Sequence, residues 1–179
     1  MKEEIVIRNR SERKRFMDGY EVNFHLMTMA EAQEIIKWKY PQEYSFYNFD
    51  DSAETLQELL DGTYYAACDD EHQLIGFFCF GQNAQVSEGR KQNLYTGEKV
   101  LDIGLGLKPE WTGKGSGQSF LQAGIAFARQ QFKPEYLRLS VAAFNARAMK
   151  VYARAGFTET SSFVNNGTAF NVMVMKVEK

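Results

Sequence analysis

The chain has 179 residues, of which 44% are hydrophobic and 25% charged, with a formal net charge of −2 at pH 7. This length and apolar content predict one domain with an ordinary hydrophobic core. The sequence contains no apolar run of the roughly 18 residues that a membrane span needs, and its start lacks the apolar stretch of a signal peptide. We therefore expect a soluble, cytoplasmic protein that binds no membrane.

The two cysteines, Cys68 and Cys79, have a spacing that matches no metal motif. Each lies in a segment that is typical of a buried strand, so we expect both to pack in the core. The sequence therefore predicts no metal site.

Charge is distributed unevenly along the chain. Residues 40–89 contain ten acidic side chains and no lysine or arginine, whereas residues 90–179 contain thirteen lysines and arginines against six acids. This division favours a cationic ligand on one side and an anionic ligand on the other. The alternative is a solvated surface without a charged partner.

The N-terminal third begins with a polar segment, residues 1–19, which we interpret as an arm or extension. Its basic run is better explained as solvated chain than as a nucleic-acid contact, because the whole chain is acidic. Residues 20–26 alternate like a strand, and Thr28 with Glu31 forms a capping box that predicts a helix to about Lys39.

The next segment, residues 39–51, is aromatic, acidic and broken by a proline, so it predicts a loop whose aromatic side chains line a site. Ser52 then caps a short helix that Gly62 ends. Residues 63–68 and 73–80 predict an antiparallel strand pair, and a polar excursion precedes the strand at 100–107.

The C-terminal half alternates helices and strands. A helix follows the glycine loop and is closed by Pro134, and residues 135–142 predict a strand. Asn145 begins a further helix that Gly156 ends, and two strands surround the turn Asn166-Gly167.

Residues 111–118, WTGKGSGQ, form a glycine-rich loop between a strand and a helix. Free N–H groups and the helix dipole attract an anion there, and the glycines allow close approach to a phosphate. A Walker loop is excluded because Lys108 and Gly115 occupy required positions, and Gln118 excludes the dinucleotide fingerprint. A tight turn without a ligand is the alternative.

The segment LGLKPEWTGKGSG, followed by NARAMKVYARAGF, resembles the GCN5-related N-acetyltransferase (GNAT) superfamily. The second motif matches at Asn145, Ala148, Tyr152, Gly156 and Phe157. The resemblance implies that a loop binds the coenzyme A pyrophosphate through backbone amides, and this loop consists of Thr112, Gly113, Lys114, Gly115, Ser116 and Gly117. Thr112 replaces the arginine or glutamine that is usual in the family.

The resemblance also implies an α/β (α+β) fold, a mixed and mostly antiparallel sheet of about seven strands flanked by about four helices, in one domain over residues 20–179. In this family the strand before the loop binds the pantetheine arm through its backbone, which implies contacts from Leu105 and Leu107. Asn145 is implied near the thioester end of the coenzyme.

Acetyl transfer to an amine requires a proton acceptor and a proton donor to the leaving thiolate. Tyr152 lies where the family commonly places the acid, with a buried core tyrosine as the alternative. For the base we predict Asp102, whose apolar neighbours suggest burial, against a solvated strand-end carboxylate. Glu21, Glu43 and His25 are competing candidates.

The sequence therefore predicts an N-acetyltransferase that uses acetyl-CoA, without a metal, by direct attack in a ternary complex. The acidic, aromatic stretch predicts a cationic small-molecule or peptide amine as acceptor and no nucleic acid, and homodimer formation is left open. The alternatives are a coenzyme A binding or sensor module without catalysis and an acyltransferase with a different acyl donor.

Overall fold

The computed structural model describes residues 21–178, and the arm predicted for residues 1–19 lies outside this range. The described chain divides into two compact units that interleave in sequence. Residues 21–78 and 105–123 belong to the first unit, and residues 79–104 and 124–178 to the second. The single domain predicted from the sequence stays a prediction.

The core of the first unit lies on its strands. Strands β1 (Asn23–Leu26) and β2 (Tyr64–Cys68) pair antiparallel, and the following strand is β3 (Leu74–Phe80). Every residue of β2 and β3 is buried, which explains their nearly continuous apolar sequences. Phe24 and Phe78 pack edge to face with ring centroids 5.7 Å apart.

Two short helices of the first unit begin at the predicted caps. Helix α1 (Met29–Ile35) has the complete capping box between Thr28 and Glu31, and α2 (Ala53–Leu59) is capped by the Ser52 side chain. Helix α1 ends earlier than the sequence predicted, because the N–H groups of residues 37 and 38 donate to carbonyls three residues back and tighten the last turn.

Two polar segments contain structure that the sequence did not predict. A 3₁₀ turn, Gln42–Tyr47, lies inside the aromatic segment, and the polar excursion contains a second 3₁₀ turn, Gly81–Ala84, and a short helix, α3 (Ser87–Lys91). These elements are too short to show an apolar period, so sequence periodicity gave no sign of them.

The remaining elements follow in chain order: β4 (Val100–Leu107), α4 (Gly117–Phe132), β5 (Tyr136–Ala142), α5 (Ala146–Ala155), β6 (Thr158–Asn165) and β7 (Thr168–Lys176). Strand β5 pairs antiparallel with β7, and β7 with β6. The predicted hairpin turn is present, with φ of 48° at Asn166 and 79° at Gly167.

The seven strands of residues 21–178 are hydrogen-bonded in the order β1-β2-β3-β4-β5-β7-β6. Among the pairings described, that of β4 with β5 is parallel. Its register runs from Val100 opposite Tyr136 to Asp102 opposite Arg138. The predicted mixed, mostly antiparallel sheet flanked by helices is confirmed. In the described part of the chain, none of the helices has the length and apolar character that crossing a membrane requires.

Candidate functional site

The glycine-rich loop connects the end of β4 to the start of α4. A 3₁₀ turn, Pro109–Trp111, leads into it, and α4 begins at Gly117. Gly113 and Gly115 have φ of 72° and 82°, in the left-handed region that glycine adopts without steric cost. The first N–H groups of an α-helix have no partner inside the helix, and this helix is 16 residues long. The loop and helix start therefore form an arrangement suited to an anion.

The two hydroxyl side chains of the loop donate hydrogen bonds to carbonyl oxygens of the turn that precedes it. The Thr112 hydroxyl donates to the carbonyl oxygen of Pro109 at 2.8 Å, and the buried Ser116 hydroxyl donates to that of Trp111 at 3.2 Å. Lys114 is exposed. An anion at this loop would thus meet backbone groups and Lys114 rather than the two hydroxyls.

Gln118, the residue that excludes the dinucleotide fingerprint, lies in the first turn of α4. Its side-chain oxygen is buried and accepts no hydrogen bond from the described residues. A buried acceptor without a donor is costly, by about 1–3 kcal/mol. A ligand with an N–H or O–H group at this position would satisfy it.

The strand before the loop holds Leu105 and Leu107 beyond the stretch of β4 that is in register with β5, which ends at Asp102. The Leu107 carbonyl oxygen accepts a hydrogen bond of 2.8 Å from the Tyr40 hydroxyl. Burial raises the pKa of Tyr40 above its ordinary range, so this phenol remains a donor. The aromatic segment is therefore attached to the end of β4 by Tyr40.

Gly106 is required by the packing of this strand. A Cβ at position 106 would lie 2.2 Å from a ring atom of Phe77, which is far closer than carbon atoms approach in proteins. Phe77 also contacts the rings of Trp38, Phe49 and Tyr64. Tight packing against a side chain therefore explains a glycine at this position inside the strand.

Helix α5 carries the second sequence motif. The Asn145 side chain caps the helix by accepting from the Ala148 N–H at 3.1 Å, and Gly156 ends it with φ of 104°. Tyr152 is half-buried, and its ring lies edge to face with Phe157, with centroids 6.1 Å apart. The conformation that Gly156 allows turns the chain so that Phe157 follows the helix directly.

Asp102 is 4% exposed and is paired with Arg138, its register partner on β5, which is 5% exposed. Arg138 donates to both carboxylate oxygens, at 2.6 and 2.8 Å. Gln85 donates to the same carboxylate at 2.7 Å. The predicted burial of Asp102 is found, and its carboxylate accepts hydrogen bonds from a cation and an amide. Its role as the base stays a prediction.

The guanidinium of Arg138 connects this carboxylate to the segment before β4. It donates to the Thr96 carbonyl oxygen at 2.7 Å and lies 5.1 Å from the centroid of the Tyr95 ring. Tyr95 in turn hydrogen-bonds Ser140 at 2.6 Å. The pair thus fixes an irregular segment against the paired start of β4.

The other candidates for a base belong to the first unit. The Glu21 backbone N–H donates to Asp70, Glu43 is exposed on the 3₁₀ turn, and His25 contacts Glu31 at 2.6 Å.

Sequence reasoning missed the role of Arg138. An arginine between Leu137 and Leu139 in an apolar strand indicates a buried ion pair, but its partner follows only from the register of β4 and β5. The sequence also did not show what the aromatic segment contacts. One contact is the hydrogen bond from the Tyr40 hydroxyl to the Leu107 carbonyl oxygen.

Comparison with known proteins agrees with the sequence motifs. The family model described as the acetyltransferase (GNAT) family matches residues 29–157, well over half of the chain. No curated protein sequence matches the chain.

Solved structures of acetyltransferases share the fold at low sequence identity. A GNAT-family acetyltransferase from Bacillus anthracis has a TM-score of 0.67 at 12% identity, over 87% of this chain and 94% of that one. Mutant forms of the spermidine/spermine N-acetyltransferase SpeG from Vibrio cholerae give 0.62 at 16% identity, over 87% and 95%. The aminoglycoside acetyltransferase AAC(6')-Ib, solved with acetyl-CoA, gives 0.65 at 17% identity, over 87% and 93%.

The family match spans both sequence motifs, from the glycine-rich loop at 112–117 to the Asn145–Phe157 segment. The solved acetyltransferases share the fold of the chain, with TM-scores of 0.62–0.67 for those compared above. The chain therefore belongs to the GNAT acetyltransferase family.

Proposed function

We propose that the chain is an N-acetyltransferase that transfers the acetyl group of acetyl-CoA to a primary amine of a cationic small molecule or peptide, by direct attack in a ternary complex. The observation that carries the proposal is the loop with left-handed Gly113 and Gly115 at the start of α4, in a chain of this family. A cytoplasmic location and a homodimer stay predictions.

The donor is held mainly by backbone in this proposal. The pyrophosphate binds N–H groups of residues 112–117, and exposed Lys114 adds a positive charge. The unpartnered oxygen of Gln118 accepts from an N–H or O–H group of the coenzyme. Leu105 and Leu107 offer backbone groups to the pantetheine arm, and Asn145 lies near the thioester end.

Acetyl transfer forms one bond and breaks another. The amine nitrogen attacks the thioester carbonyl, the C–N bond forms, the C–S bond breaks, and coenzyme A leaves as a thiolate. An amine with a pKa near 10.4 must first lose a proton, which at pH 7 costs about 4.6 kcal/mol. This first proton passes to water. The nitrogen loses a second proton as the amide forms, and this proton replaces the one that the thiolate takes up from the acid, so that one proton is released in the whole reaction.

Tyr152 is the proton donor to the thiolate in this proposal. A phenol with an ordinary pKa of about 10 is protonated at pH 7 and is a suitable acid for a thiolate. Its position on α5 is set by the Asn145 cap and the Phe157 contact. Asp102 is assigned to structure rather than to proton transfer, since Arg138 and Gln85 occupy its oxygens.

The acceptor is proposed to be cationic because acidic residues between 43 and 61 are exposed: Glu43, Asp50, Asp51, Glu54, Glu58 and Asp61. Two of the solved proteins with this fold are named for amines with several positive charges, spermidine/spermine and aminoglycosides. Both the charge and these names support a polyamine-like or aminoglycoside-like acceptor.

The variant Tyr152→Phe tests the mechanism. We expect kcat to fall by about 10²-fold or more, because the general acid is lost, while the Kd for acetyl-CoA changes little. Steady-state kinetics with an accepted amine and calorimetric titration of acetyl-CoA measure the two quantities.

Tyr136→Phe is the matched control, because it removes a hydroxyl from another half-buried tyrosine outside the motifs. An unchanged kcat in Tyr152→Phe would show that the acid is another group. Tight binding of acetyl-CoA without turnover of any amine would instead identify a binding module.

A further inference from the structure

Three side chains that commonly bind transition metals lie together in the first unit. His25 is on β1, Glu31 is in the first turn of α1, and Cys68 is on β2. Their potential ligand atoms all lie within 4.8 Å of one another. The Glu31 Oε1 atom is 2.6 Å from His25 Nε2 and 3.9 Å from Cys68 Sγ. We propose that this cluster binds one Zn²⁺ ion, a function separate from acetyl transfer.

The strand register places two of the three ligands. In the antiparallel pair of β1 and β2, His25 lies opposite Ala66 and Asn23 lies opposite Cys68. Opposed residues share a face of the sheet, and so do residues two apart on one strand. His25 and Cys68 are therefore diagonal neighbours on one face.

The helix cap fixes the third ligand. One carboxylate oxygen of Glu31, Oε2, accepts from the Thr28 N–H at 2.9 Å and from the Thr28 hydroxyl at 2.7 Å. The other oxygen, Oε1, is the one that faces His25 and Cys68. The capping box thus holds a carboxylate oxygen toward the imidazole and the thiol before any metal arrives.

The donor set and spacing suit zinc. Zn²⁺ takes imidazole nitrogen, thiolate sulfur and carboxylate oxygen at about 2.0–2.3 Å in tetrahedral geometry, which puts neighbouring ligand atoms about 3.4 Å apart. The observed separations of 2.6 and 3.9 Å lie on either side of that value. Sulfur and nitrogen ligands disfavour Mg²⁺ and Ca²⁺, which prefer oxygen. Three protein ligands leave the fourth position of the ion to water.

The surroundings of Cys68 are acidic. A carboxylate oxygen of Glu31 lies 3.9 Å from its sulfur, and Asp69 follows it in the chain. Two carboxylates beside the sulfur favour a cation at this place. Metal binding displaces the thiol proton, and the positive charge of the ion compensates these acidic neighbours.

Access to the cluster is from the histidine side. Cys68 is 2% exposed, whereas the side chain of His25 is 30% exposed. The site is invisible in the sequence, since Glu31 and Cys68 are far apart along the chain and no Cys-x-x-Cys or His-x-x-x-His spacing occurs. The prediction of no metal site rested on that spacing alone.

The test uses tag-free protein freed of metal by a chelator and kept reduced with a phosphine. Adding Co²⁺ as a spectroscopic probe should give one equivalent bound, with a thiolate-to-metal absorption band and visible bands of tetrahedral cobalt, and Zn²⁺ should displace it. A chain that binds no Co²⁺ or Zn²⁺ in stoichiometric amount, or binds without the thiolate band, overturns the proposal.

The chain offers matched controls, because it contains two histidines and two cysteines. His25→Asn and Cys68→Ala should weaken Zn²⁺ binding by more than about 10-fold, since loss of even an outer partner costs that much. His72→Asn and Cys79→Ala should leave it unchanged. Equal affinity in all four variants overturns the proposal.

Glu31→Gln separates metal binding from folding, because glutamine at this position retains a capping box. Zn²⁺ should raise the melting temperature of the unmodified chain and of the two control variants but not of Glu31→Gln. A rise in Glu31→Gln as large as in the unmodified chain contradicts the assignment of Glu31 as a ligand.

Discussion

At the scale of single residues, the buried pair of Asp102 and Arg138 shows which partners a carboxylate inside a strand can have. Burial of a lone carboxylate would favour its protonated form. Arg138 and Gln85 instead supply donors to both oxygens. A carboxylate with these partners stabilises the start of β4 and β5, where the two residues are in register.

We predict that Asp102→Asn lowers the free energy of unfolding by about 3–5 kcal/mol, because it leaves the Arg138 cation buried without its counter-charge. Urea unfolding measures this. Glu135→Gln is the control, since it breaks the exposed Lys99–Glu135 pair of the same unit and should change stability little. A stable Asp102→Asn variant whose kcat falls and whose pH profile loses a limb would make Asp102 the base.

Some residues of the candidate site could be predicted from the sequence, and others could not. Tyr152 and Asn145 were located by their motif, and the cap formed by Asn145 is confirmed. The partner of Asp102 was not located, because it depends on pairing between strands that are 36 residues apart at this point. No local pattern encodes that register.

At the scale of elements, the glycine-rich loop owes its shape to backbone angles rather than to contacts. A Cβ at Gly115 would meet no heavy atom within 4 Å, and φ there is 82°. The cost of a side chain at this position is therefore conformational, about 1–2 kcal/mol for an L-residue in the left-handed region.

We predict that Gly115→Ala weakens acetyl-CoA binding by about 10-fold, since binding must restore the strained loop at that cost. Gly62→Ala is a close match, because φ is 93° and the space around it is equally open, but it follows α2 rather than β4. Both variants should lose similar stability, and only Gly115→Ala should lose affinity in a calorimetric titration. Equal affinities in the two would remove the loop from the binding site.

The caps of α1 and α2 predict how stability depends on pH. Hydrogen bonds from the Ser52 and Thr55 hydroxyls lower the pKa of Asp50 to about 2. Burial raises the pKa of Glu31, but hydrogen bonds from His25 and Thr28 outweigh burial and lower it overall. A carboxylate with a lowered pKa contributes stability that is complete above its ordinary pKa and lost as the pH falls through the folded value.

We therefore predict that the free energy of unfolding decreases as the pH falls from about 5 toward 2. Asp50→Asn should make this dependence on pH less steep. Asp51→Asn, which changes the neighbouring exposed carboxylate, should keep the slope of the unmodified chain. Denaturant unfolding at a series of pH values measures the slopes. Identical slopes in the two variants would mean that the cap does not set the acid sensitivity.

Elements with an apolar period or a recognisable cap were predictable. Strand β4 has the predicted bounds, and both predicted helix caps, Thr28 and Ser52, are present. The 3₁₀ turn Gln42–Tyr47 and helix α3 were not predicted, because neither buries a stripe of side chains that a pattern would reveal.

At the scale of the whole chain, charge divides into an acidic first part and a more basic second part. The family and fold followed from two motifs that cover a small part of the sequence. No motif indicates the proposed acceptor, which is argued from charge, because a fold does not by itself determine a substrate.

We predict that KM for a cationic amine such as spermidine rises with ionic strength, whereas KM for a neutral amine does not, because salt screens exposed charges. Replacing exposed Glu43 and Glu54 together by glutamine should raise KM for the cation several-fold, and Glu159→Gln, an exposed acid outside the acidic stretch, should not. Steady-state kinetics over a panel of amines measures both effects. Preference for neutral amines would contradict the proposed acceptor class.

The contact between Gly106 and Phe77 limits which side chains this chain tolerates at the two positions together. A Cβ at 106 would lie 2.2 Å from the Phe77 ring, so a larger residue at 106 fits only beside a smaller one at 77. Phe77 also contacts the rings of Trp38, Phe49 and Tyr64, so a smaller side chain at 77 leaves a cavity among three aromatic neighbours. A mutant library that varies β4 at 106 should therefore vary 77 in the same clones, because the two substitutions compensate each other only as a pair.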